Sequence, residues 1–170
     1  MKSAHCLACL FLLFIALPLN GCGSGDAESE LSTYALETLP PLRDMLNAAL
    51  DKYDAVSGDR YSDEASLYES VRLEVLPLLK ELLLQSEAFH PRSDRVARLH
   101  DGFLAALRRY SSAFQLLLIA LDQQNMQNVA VALEELEEAR SLRRDYEIRF
   151  EDACGAGSDG SIEASTMHQE

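Results

Sequence analysis

The chain contains no tryptophan, and glycine and proline are scarce, with 8 and 5 copies among 170 residues. A sheet protein of this size turns often, and tight turns draw heavily on those two residues. Their scarcity argues against a turn-rich β fold and favours long helices. Positive charge is short as well. Lys and Arg number 15 against 28 Asp and Glu, a formal charge of −13. Nucleic-acid binding relies on cations that displace phosphate counterions, so no nucleic-acid partner is expected. Adsorption to anionic lipid through surface charge is opposed for the same reason. Long apolar runs are nearly absent too. Behind Met1 and Lys2, Cys6 to Leu19 forms one uncharged apolar run of 14 residues. A spanning helix needs roughly 20 such residues, whereas the hydrophobic part of an export signal needs roughly 7–15. An exported and cleaved chain is the reading that fits.

The residues that end the run are Leu19-Asn20-Gly21-Cys22. An aliphatic residue stands three before the cysteine and a small one directly before it. This resembles the lipobox of bacterial lipoproteins. The resemblance covers residues 1–22 and implies a signal peptide over 1–21, with cleavage between Gly21 and Cys22. It also implies a diacylglyceryl group on the Cys22 sulfur, with the new amino group of Cys22 acylated in turn. The implied address is the cell envelope, with the membrane as partner through lipid on Cys22. Where the organism has two membranes, Gly23 implies the outer one. At about 0.8 kcal/mol per buried methylene, one acyl chain holds marginally and two or more hold stably.

Cysteine bookkeeping then simplifies. On that resemblance Cys6 and Cys9 would leave with the signal and Cys22 would carry lipid, so Cys154 alone would remain and the mature chain could not close an internal disulfide. The "CLAC" of Cys6 to Cys9 lacks the strand–helix setting of a redox pair.

After Cys22, "GSGDAESELS" is small and acidic with no apolar period. It predicts a flexible tether over 22–37 that holds the domain off the membrane. Residues 155–170 share that character and predict a disordered tail. Residues 38–154 between them predict four helical segments. The first, 38–57, carries Leu39, Leu42, Leu46, Ala49, Tyr53 and Val56 on one stripe, with Pro40 and Pro41 near its start. The second opens at Ser62 and carries Tyr68, Val71, Val75, Leu78, Leu82 and Phe89, widened by Leu76, Leu79 and Leu83; Pro77 inside it predicts a kink that frees the Leu73 carbonyl. The third, capped by Ser93, repeats Val96, Leu99, Phe103, Ala106, Tyr110, Ala113, Leu117 and Ala120 in heptad spacing. A second row of Leu104, Leu107, Phe114, Leu118 and Leu121 flanks it, so partners are needed on both sides. The fourth uses Met126, Val129, Leu133, Leu136, Ala139, Tyr146 and Phe150. Short links force antiparallel neighbours. A long helical hairpin that dimerises would satisfy the same pattern, but wide apolar faces can be buried within one chain, so the expected fold is all-α, an antiparallel up-down four-helix bundle.

No catalytic or metal-binding constellation emerges. Di-iron bundles repeat Glu-x-x-His, and this chain has a single match, Glu87 to His90, against Pro91 at a helix end. Cys-x-x-Cys-His, which attaches haem covalently, is missing. Met45 and Met126 fall on apolar stripes, where packing is the ordinary role. The glutamates of 134–138 splay around a helix axis, with Glu137 in reach of Arg140 and Asp145 in reach of Arg149. Arg92, Arg95 and Arg98 crowd the start of the third helix, against its dipole, with Arg108 and Arg109 further along; an anionic head group, or Glu81 and Glu87 across the bundle, are their candidate partners. The body, through "LHDGFLAALRRYSSAFQLLLIALDQQN", loosely resembles small helical lipoproteins of uncharacterised role. The expectation is a non-enzymatic binding or scaffolding module in the cell envelope, with no cofactor and a protein partner. The alternative is a metal- or haem-binding bundle with a redox or storage role.

Overall fold

The computed structural model describes residues 24–155, and helices account for 89 % of them, with no strand among the described residues. The all-α expectation therefore holds for that part of the chain. Four helical rods carry it. The first, α1 (24–54), joins Ser24–Thr33, a π-helical turn at Tyr34–Thr38 and Leu39–Asp54 without interruption. The second, α2 (64–88), has the same construction, with a π-helical turn at Val71–Val75 between Glu64–Ser70 and Leu76–Ala88. The third and fourth are α3 (Asp94–Asp122) and α4 (Met126–Gly155), and a short 3-10 turn, Gly58–Arg60, lies between α1 and α2.

Proline explains where the π-helical turns fall. It has no N–H, and its ring crowds the carbonyl four residues back. In α1 the N–H of Leu39, directly before Pro40, bonds the Tyr34 carbonyl five residues back. In α2 the N–H of Leu76, directly before Pro77, bonds the Val71 carbonyl in the same way. The wider turn carries each rod past its proline, so the disturbance expected at Pro77 takes the form of a π turn upstream of it.

The segment expected as a tether over 22–37 is helical from Ser24 onward, which corrects that expectation. Its apolar residues supply the reason. Leu31 and Tyr34 are 2 % and 0 % exposed, as buried as Leu39 and Leu46 further along the rod. A spacing of five between Tyr34 and Leu39 hides this continuity from a search for threes and fours, and the π turn absorbs the extra residue. Helix starts otherwise follow capping chemistry. Asp63, one residue past the expected Ser62, accepts from the Ser66 N–H at 2.8 Å, and Ser93 accepts from the Val96 N–H at 3.3 Å.

The core runs along α3. All eight residues of its heptad row are buried, as are Leu104, Leu107, Phe114 and Leu121 of the second row. In its most apolar window α3 has a mean hydropathy of 1.2, enough by composition to cross a membrane. Here about half of that window packs against protein, with Phe114 and Leu117 fully covered and Ile119 left exposed. Its most extensive partner is α4. Ala106, Ala113 and Ala120 of α3 and Ala132 and Ala139 of α4 are all 0–1 % exposed, and such small side chains let two helices approach closely. On α4 the expected stripe needs two corrections. Met126 is 69 % and Leu133 43 % exposed, and Ala132 takes the inward position instead. Close approach to α3 selects the small residue and leaves its large neighbour outside.

Side-chain contacts, polar and aromatic, tie the rods at several levels. Lys52 of α1 meets Glu74 of α2 at 2.7 Å, and Tyr34 stacks near Phe89 with 5.5 Å between ring centroids. Glu87 of α2 meets Arg108 of α3 at 3.0 Å. Arg109 of α3 holds both Glu135, at 2.7 Å, and Glu138 of α4. Arg143 of α4 donates to Asn47 Oδ1 of α1 at 3.0 Å.

Candidate functional site

The residues singled out for cleavage, Gly21 and Cys22, and for lipid attachment, Cys22, lie outside the described residues, as do the rest of the expected signal peptide and residues 156–170. The structure instead describes what Cys22 leads into. Two carboxylates in the first turns of α1 fasten that helix to the start of α3. Glu30 accepts from the backbone N–H groups of Arg92 and Ser93, at 2.6 and 2.7 Å. Burial pushes the Glu30 carboxyl up, but these hydrogen bonds outweigh it and hold the group below its ordinary value. Glu28 pairs with Arg95 at 2.8 Å.

Arg95 does a second thing. Its other terminal nitrogen donates to the carbonyl of Ala153 in the last turn of α4. The last carbonyls of a helix lack intrahelical partners and carry the negative end of its dipole. Arg95 is thus unfavourable for its own helix start yet well placed for a neighbour's end. Within the arginine row at 92–98, Arg95 therefore has Glu28 and Ala153 as partners, while the expected partner Glu87 is met by Arg108. Glu81 accepts from Gln85.

Just inside this clasp lies a buried polar pair, His100 with Tyr34; sequence reading weighs His100 only as a metal ligand and does not find its partner. His100 is 2 % exposed. Its Nε2 is 2.8 Å from the Ser86 carbonyl in the last turn of α2, and its Nδ1 is 3.3 Å from the Tyr34 hydroxyl. A carbonyl only accepts, so Nε2 carries the proton and the Tyr34 O–H donates to Nδ1. Burial pushes the imidazole below its ordinary value and both the Tyr34 and Tyr146 phenols above theirs. The neutral ring sits edge-on to Tyr34 and to Phe89, with centroids 5.8 and 5.0 Å away. Beside this group the Arg43 guanidinium lies over the Phe150 ring, 4.8 Å from its centroid. A cleft of about 960 Å³ opens beside the clasp, with Asp26, Glu30, Tyr34, Phe89, Arg92 and Asp94 among its walls.

The remaining candidates are dispersed. His90 is exposed and its Nδ1 lies 2.7 Å from the Ala88 carbonyl, while Glu87 of the same motif turns to Arg108. Met45 packs partly buried against the core and Met126 points outward. Glu137 meets Arg140 as expected, whereas Arg149 bonds the backbone oxygen of Asp145 and not its carboxylate. No three His, Cys, Asp or Glu side chains converge as metal ligands among the described residues. Cys154 is an exposed free thiol in the last turn of α4, raised by partial burial. What this constellation can do chemically is fasten and orient: it joins α1 to the ends of α2, α3 and α4. Compared with known proteins, the chain matches no family model, no curated protein and no solved structure.

Proposed function

We propose that the chain is a lipid-anchored helical module of a bacterial cell envelope, cleaved before Cys22 and acylated there, that works by non-enzymatic binding or scaffolding. One observation carries the reading: the chain is already helical at Ser24, two residues beyond Cys22, and that helix is fastened to the body by Glu28 and Glu30. An anchoring residue at the foot of a packed domain suits a protein whose task depends on being held at a surface. The body itself we assign as an up-down-up-down four-helix bundle. The order of cross-rod contacts supports this arrangement. Residue 52 meets 74 while 34 meets 89, and 95 meets 153 while 109 meets 135. Such pairs run in opposite chain directions, as antiparallel neighbours require.

The test is fractionation of cells expressing the full chain or its Cys22→Ala variant, with metabolic labelling by palmitate. The expected result is label on the first protein only, and its release from membranes in the second. A variant that stays as membrane-bound as its parent overturns the anchoring role of Cys22.

A further inference from the structure

We propose that the domain stands end-on against the lipid surface without a leash, on a foot made by the first turn of α1, the link 89–93 and the last turn of α4. The inference rests on acylation of Cys22. A 16-residue flexible tether over 22–37 would wander by roughly 20–24 Å, at 5–6 Å per square root of chain length, and leave the body free to tumble. The structure replaces that tether with helix. From the Cys22 α-carbon to the Ser24 α-carbon the chain reaches at most about 7 Å, and from Ser24 onward α1 is continuous to Asp54.

Nor can α1 swing away at little cost. Its first three turns are held by the Glu28–Arg95 ion pair, by Glu30 on the N–H groups of Arg92 and Ser93, and by the buried Leu31 and Tyr34. Arg95 extends the clasp to Ala153, so all three parts of the foot are tied together. A lipid bonded two residues from this foot draws the foot to the headgroup layer. Its own charge cannot do so: Asp26, Glu28, Glu30, Asp94, Glu151 and Asp152 outnumber Arg92 and Arg95 there. The covalent anchor imposes the contact, and the clasp transmits it to the whole domain. The opposite end, at the 123–125 turn, then stands about 43 Å from the foot, the length of the 29-residue α3 at 1.5 Å per residue.

Cys154 supplies a native probe of the foot, since Cys22 is blocked by lipid. The acylated full-length protein is placed in phosphatidylethanolamine–phosphatidylglycerol vesicles carrying a headgroup energy acceptor, with a donor dye on Cys154. A second sample moves the dye to the far end by combining Cys154→Ser with Gln123→Cys. The expected result is strong transfer from Cys154 and a distance about 40 Å greater from position 123. Equal distances in an acylated sample overturn the end-on stance and leave the anchor intact. A purified chain whose mass lacks the lipid overturns the anchor reading and this inference with it.

Discussion

The Tyr34 hydroxyl of α1 and the His100 Nδ1 of α3 lie 3.3 Å apart in the interior, with the other imidazole nitrogen on the last turn of α2. One neutral ring thereby joins three rods. Because burial lowers the folded value of His100, the unfolded chain takes up the proton first as pH falls. Its contribution is whole above the unfolded value near 6.5 and drains away as pH drops below it toward the folded value. Urea unfolding at pH 7.5 and pH 5.5 should show a larger loss for the parent than for His100→Gln. Equal losses in both proteins would mean that His100 does not set this slope.

Gly102 on α3 faces the ring of Tyr146, where an added methyl would meet Cδ2 at 3.5 Å, an ordinary contact. Glycine inside a helix costs about 1 kcal/mol relative to alanine. Gly102→Ala is therefore expected to raise the stability by roughly 0.5–1 kcal/mol. The tightly packed alanines behave oppositely: Ala113→Leu, at a fully buried position, should cost about 1–3 kcal/mol through overpacking. Chemical denaturation of the two variants beside the parent decides both signs.

Leu79 is fully buried in α2, and Met126 is 69 % exposed at the start of α4. Truncating a buried leucine removes transferred surface and leaves a cavity, for about 2–5 kcal/mol, whereas exposed positions change by about 0.5 kcal/mol or less. Leu79→Ala and Met126→Ala should differ accordingly in urea midpoint. Comparable losses would place Met126 in a core contact that the structure does not contain.

Glu30 holds two backbone N–H groups ahead of α3. Glu30→Ala leaves both to water, a loss comparable to a removed helix cap, about 1 kcal/mol. Its carboxyl is held low in the fold, so the stabilisation stands above the unfolded value near 4.3 and is lost as pH falls through the folded one. Amide exchange should quicken across 24–33 in the variant at neutral pH and leave 126–150 nearly unchanged. Unaltered exchange across 24–33 would show that Leu31 and Tyr34 hold this segment without help.

Much of the architecture is written in spacing. The heptad row from Val96 to Ala120 needs only period and side-chain type to be read, and every member is buried. What periodicity cannot rank is two apolar residues side by side. On α4, Leu133 outweighs Ala132 by hydrophobicity, yet proximity to α3 favours the smaller one. His100 was legible in principle. Carried back by sevens, the row Leu121, Phe114, Leu107 lands on it, an inward address for a polar ring. Its partners were not, because Tyr34 sits 66 residues away in a stretch whose composition resembles a linker. The clasp was equally hidden, since a surface carboxylate does not announce which backbone it will meet.

The two π turns have a consequence for how this chain tolerates change in length. Each accommodates one residue more than an α-helix needs to return to the same face, which amounts to about 100° of rotation at 3.6 residues per turn. Removing a single residue within Tyr34–Thr38 or Val71–Val75 would let the rod close as regular helix, with the local register reset by the loss. The same deletion in the unbroken α3 would have no slack to draw on, and every inward residue beyond it would turn away from the core. Shortening is thus absorbed beside the prolines and nowhere along the central rod.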